Sequence, residues 1–77
     1  MRNSEILFKE YEDNDGKVDV VIKGIRGKFK DITGIAVPCM NFGVKLFIGN
    51  DDGSDDCIIS KEEFDENYTI VKVIVYD

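Results

Sequence analysis

The sequence predicts an all-β fold, a small barrel of five to six mostly antiparallel strands with one short helix before the last strand. Three observations lead there. Val18, Val20 and Ile22 alternate with Asp19 and Lys23 at period two. Turns rich in Asp, Asn and Gly separate the strand-like runs at short intervals. Residues 68–76 are dense in β-branched and aromatic side chains, the composition of a strand with packing on both faces. At 77 residues there is room for one core, so residues 1–77 form a single domain. A doubly wound nucleotide fold or a TIM barrel does not fit, and a chain this size buries only ~60% of its unfolded surface. With 43% hydrophobic and 34% charged residues the chain is globular rather than disordered.

Taken in order, residues 6–12 are expected as a first strand, and Asp13-Asn14-Asp15-Gly16 as a hairpin turn with Gly16 left-handed. Residues 17–23 form the alternating strand. In residues 24–31 two glycines argue against a helix while Ile25 and Phe29 ask for burial, so the segment is read as a loop leading into a strand over 32–37. Pro38, which has no N–H to give a ladder, should end that strand or sit on an edge. Residues 44–48 are a strand whose alternation turns Phe47 away from Val44, Leu46 and Ile48. Residues 50–56 are an acidic turn and 57–59 a short strand. Ser60-Lys61-Glu62-Glu63 has the spacing of a capping box, with Ile59 and Phe64 placed as a hydrophobic staple. One or two helical turns end near Asn67, and the last strand is expected to be central or to close the barrel.

Several chemistries are excluded by what is missing. There is no histidine, hence no ordinary Ser-His or Cys-His nucleophile and no base with an unperturbed pKa near neutrality. Phosphate loops of Walker or Rossmann type are absent, and a catalytic carboxylate pair would need a deep cleft that so small a barrel has little volume to form. The chain is therefore read as non-enzymatic, with no cofactor. Cys39 and Cys57 form no CxxC pair, so no zinc set exists within one chain, and the thiols are expected to be reduced. EF-hand alignments on Gly53 or Gly16 put Ile48 or Tyr11 at the first ligand position and fail. An Asp-rich turn is ordinarily only a turn, so no metal is expected at Asp51, Asp52, Asp55 and Asp56. No run approaches ~18 apolar residues and no signal-peptide core follows Met1, from which we expect a complete, cytoplasmic chain that avoids membranes.

What remains is the surface. Formal net charge is −6, unevenly spread: residues 50–67 hold eight acids against Lys61, while residues 17–30 hold five bases against Asp19. An acidic face of Asp51, Asp52, Asp55, Asp56, Glu62, Glu63 and Glu66 repels nucleic acid and steers basic protein surfaces toward itself. Lys23, Arg26, Lys28, Phe29 and Lys30 are the alternative, a basic segment able to grip phosphates and stack a base. Gly24-Ile25-Arg26-Gly27 even has the GxxG spacing of a KH loop, although a strand-like run precedes it where that loop follows a helix. Met40, Phe42 and Phe47 are a third candidate, an aromatic patch for a partner or a homodimer contact.

From residue 32 onward the order is strand, loop, strand, acidic turn, short strand, helical turn, long strand. With Gly34, Val44, Leu46, Asp52-Gly53, Ser60, Glu63-Phe64 and Asn67-Tyr68 as markers, this stretch resembles the second half of SH3-like small barrels. Asn67-Tyr68 is similar to the Asn-Tyr pair of true SH3 domains. That resemblance implies the barrel but not a proline-rich ligand, because there is no tryptophan, no Ala-Leu-Tyr-Asp-Tyr motif and no proline at the turn before Asn67. As a short acidic chain rich in Lys, Ile, Asn and Asp it also resembles, in type, accessory proteins of phages and mobile elements. Several of these, anti-CRISPR proteins included, are stoichiometric inhibitors that occupy a nucleic-acid channel. The expected function is thus an acidic protein-binding module, monomeric or homodimeric, that docks on a basic, nucleic-acid-binding surface. Nucleic acid itself is the second choice.

Overall fold

In the computed structural model, residues 1–39, 43–49 and 58–76 are described. The elements are α1 (Asn3–Asp13), β1 (Val18–Gly24), β2 (Thr33–Cys39), β3 (Gly43–Ile48), β4 (Ile58–Ile59), α2 (Lys61–Asn67) and β5 (Tyr68–Val75). Among the described residues all strand pairs are antiparallel, and the five strands form one open sheet in the order β4-β3-β2-β1-β5. The β-rich class is as expected, with two helices instead of one.

The first expected strand is α1. Ser4, Leu7, Phe8 and Tyr11 recur at helical spacing, and Leu7 is fully buried while Phe8 and Tyr11 pack against the core. The Glu5 carboxylate accepts the Arg2 backbone N–H at 3.4 Å. Gly16 is left-handed as anticipated, with φ 78°, but it ends a helix and not a hairpin strand. Its N–H donates to the Tyr11 carbonyl at 2.9 Å, the six-to-one bond of a helix closure whose left-handed residue is the preceding Asp15, φ 53°.

Leu7 and Phe64 put both helices on the face of the sheet that carries Val18, Val20, Ile22, Ala36, Val44, Leu46 and Ile48. Phe64 stacks on Tyr68 at a centroid distance of 5.8 Å, which ties α2 to the start of β5. Ser60 Oγ accepts the Glu63 N–H at 3.1 Å, the cap expected of that spacing. Ile59 and Phe64 both pack into the core, as a staple requires.

β2 runs one residue beyond Pro38, which lies opposite Val44 of β3; the ladder to β1 stops at Ala36, so the proline sits past the doubly paired part of its strand. Residues 25–32 form a loop. It folds back so tightly that a Cβ added at Gly24 would lie 2.0 Å from the Phe29 carbonyl oxygen. The Gly24 carbonyl accepts the Asp31 N–H, and its N–H donates to the Ile32 carbonyl. Phe29 is half-buried over Gly49 while Ile25 is left exposed, so one of the two apolar residues anchors the loop.

The last strand departs from expectation: among the described residues β5 is an edge of the sheet and pairs with β1 alone. Its apolar residues do not all find cores. In register with β1, Ile22 faces Ile70 and Val21 faces Lys72, so Val71 is an extra, bulged residue. Val71, Val75 and Tyr76 are each about half exposed.

Candidate functional site

The helices gather carboxylates. α1 exposes Glu5, Glu12 and Asp13, and α2 exposes Glu62, Glu63 and Glu66. The two helices are joined through Ser4, whose N–H and hydroxyl donate to the two Asp65 carboxylate oxygens at 2.7 and 2.9 Å. An open groove of about 260 Å³ beside this joint is lined by Arg2, Glu62, Asp65 and Glu66. Arg2, Lys9 and Lys61 are the exposed cations of the layer, and Lys61 is partly occupied, its ammonium 4.4 Å from the centroid of Phe8. The helix layer therefore carries excess negative charge.

The other side of the sheet has the opposite bias. Cross-strand pairing puts Phe47, Ile35, Val21 and Lys72 in one row, with Lys45 beside Val37 and Lys23 beside Thr33. Among the described residues Asp19 is the acid of this face, and it accepts the Tyr76 hydroxyl. That hydrogen bond raises the Tyr76 pKa above its ordinary value of 10.0, with burial and the Asp19 charge adding to it. Tyr11 is raised too, first by burial and then by Asp19. Arg26, Lys28 and Lys30 are exposed on the loop at the end of β1. Among the described residues charge is thus divided between the two faces of the sheet.

Of the residues singled out from the sequence, Glu62, Glu63 and Glu66 share one exposed helix. Asp51, Asp52, Asp55 and Asp56 lie outside the described residues, as do Met40, Phe42 and Cys57. Phe47 faces away from the core at 39% exposure, in agreement with its alternation. Lys23, Arg26, Lys28 and Lys30 are exposed, but Phe29 is packed against the core with the Lys28 ammonium 4.9 Å from its ring centroid, which leaves little of it for stacking a base. Cys39 is a half-buried free thiol. Among the described residues no three His, Cys, Asp or Glu side chains come together as a metal site. No helix among them is long and apolar enough to cross a membrane.

A strand over residues 6–12, as expected from composition, gives Glu5, Glu12 and Asp13 no common face with α2, so the share of α1 in the acidic layer is visible only in the folded chain. The helical spacing of Leu7, Phe8 and Tyr11 was the available signal. Comparison of the chain with protein-family models, with curated proteins and with solved structures returns no significant match.

Proposed function

We propose that the protein is a non-enzymatic binding module whose helix layer docks on a basic surface of a protein partner. The observation that carries this reading is the union of α1 and α2 through Ser4 and Asp65, which brings Glu5, Glu62, Glu63 and Glu66 into one layer. Like charges brought together on a rigid scaffold steer association, and a partner surface rich in Arg and Lys relieves their repulsion. A partner that normally binds nucleic acid has such a surface, which is the inhibitor version of the proposal. For the fold we propose kinship with SH3-like small barrels. The order of elements from β2 onward supports it, with a short helix between the two strands that a closed barrel would pair.

The test is a charge-reversal comparison. Tagged wild-type chain and the E62K/E63K/E66K variant are used to capture partners from a nuclease-treated lysate, beside a K28A/K30A variant. Docking through the helix layer predicts that the first variant loses the captured protein by at least tenfold while the second retains it. Loss of binding in the second variant alone would move the site to the basic loop.

A further inference from the structure

Beyond the docking face, and independently of it, we infer that the free edge of β5 pairs with β5 of a second copy, in an antiparallel register centred on Ile74. In an antiparallel ladder successive residues direct their N–H and C=O groups alternately toward and away from the neighbouring strand. The Tyr76 N–H donates to the Lys17 carbonyl at 2.9 Å, on the β1 side. Ile74 therefore also faces β1, and the N–H and C=O groups of Val73 and Val75 face outward. Among the described residues β5 has no strand on that side. At its other end the edge is covered, because the Asn3 side chain donates to the Tyr68 carbonyl at 2.8 Å. The bulge at Val71 separates that covered end from a regular stretch over Lys72 to Tyr76.

This stretch is self-complementary in one register. A two-fold axis through Ile74 sets Val73 against Val75 of the second copy, and Val75 against its Val73. Each pair exchanges two N–H···O=C bonds, so all the outward groups of both residues are satisfied. Ile74 then meets its own copy as a non-hydrogen-bonded pair, where side chains approach most closely. Lys72 falls opposite Tyr76 of the second copy and not opposite another lysine. The ring of that tyrosine and the Asp19 carboxylate that holds its hydroxyl both suit a cation. Shifting the axis to Val73 would instead set Val75 against the bulged Val71.

The exposed side chains agree with the backbone. Val71, Ile74, Val75 and Tyr76 are 52%, 39%, 52% and 51% exposed, half of the large hydrophobic residues that the described surface leaves open. An edge strand with this composition is a template for pairing unless something covers it. Pairing would join two five-stranded sheets into one of ten strands, with the helix layers of both copies on the same side. The contact is short, at the small end of specific interfaces, and calls for a dissociation constant of about 10–100 μM.

The experiment is sedimentation equilibrium of the full chain from about 5 to about 500 μM, with amide exchange followed by NMR over the same series. The expected result is a monomer–dimer equilibrium in which the Val73 and Val75 amides gain at least tenfold protection as the dimer forms. Val75→Pro removes an outward donor without touching the ladder to β1, and it should stay folded and monomeric. Ile74→Lys sets two lysines against each other across the axis and should do the same even if the proline variant does not fold. A wild-type chain that is monomeric across the series overturns the inference. So does a dimer that survives Ile74→Lys, or whose formation leaves the Val73 and Val75 amides unprotected. None of these outcomes depends on whether the acidic helix layer binds a partner.

Discussion

At the scale of single residues, Asp65 is set apart from its acidic neighbours by what it holds. Its carboxylate accepts the Ser4 backbone N–H, one of the donors that the first turn of a helix leaves without an internal partner, together with the buried Ser4 hydroxyl. Asp65→Ala should cost about 1–3 kcal/mol, because both donors lose their acceptor at once. Urea unfolding reads this as a lower midpoint with an unchanged slope. Phe64, the neighbouring residue, is fully buried in the core, and its replacement by alanine should cost about 3–5 kcal/mol. Whole domains of this size have about 4–12 kcal/mol to spare, so far-ultraviolet circular dichroism should find much of that variant unfolded at 37 °C. Tyr76 gives a pH signature. Its pKa is raised in the folded chain, chiefly by the bond to Asp19. The stability from that bond is whole below the ordinary tyrosine value near 10 and is lost as pH climbs through the raised one. Melting curves of wild type and Tyr76→Phe should therefore differ at pH 8 and converge in strong alkali. Equal melting at pH 8 would remove Tyr76 from the account.

At the scale of elements, β1 and β3 could be read from period two, and the last helix from its cap and staple. Val18, Val20 and Ile22 are buried and Asp19 and Lys23 are not, so β1 falls where alternation put it. Ser60, Glu63 and Phe64 identify α2 because capping is local chemistry, written within a few residues. Two elements misled. In α1 the run Ile6-Leu7-Phe8 suits a strand by composition, and Leu7, Phe8 and Tyr11 meet the core only if the chain is helical. In β5 apolar residues on both faces suggested a central strand, whereas the bulge at Val71 and the open edge leave several of them exposed. Edge or centre is decided by which strands pair, a long-range fact that no local window contains. The loop after β1 is fixed by Gly24, where the Phe29 carbonyl leaves no room for a side chain. Gly24→Ala should displace that loop and cost about 1–3 kcal/mol, visible as a lower melting temperature with faster proteolysis at Arg26 and Lys28.

At the scale of the whole molecule, the division of charge is the property that most constrains function. The uneven blocks were visible in the sequence, acidic over residues 50–67 and basic over 17–30. The acidic layer of the two helices was not, because α1 brings further carboxylates from the opposite end of the chain to lie beside Glu62, Glu63 and Glu66 of α2. Long-range attraction of this kind is screened beyond roughly 8–10 Å at physiological salt, so docking that depends on it should weaken steeply as salt rises. The most direct test of this account is the rate of association with a captured partner, measured by stopped flow at a series of ionic strengths after nuclease treatment. The rate should fall at least tenfold between low and high salt for the wild type and be slow and nearly salt-independent for E62K/E63K/E66K. A wild-type rate indifferent to salt, or a partner that vanishes with the nuclease, would contradict it.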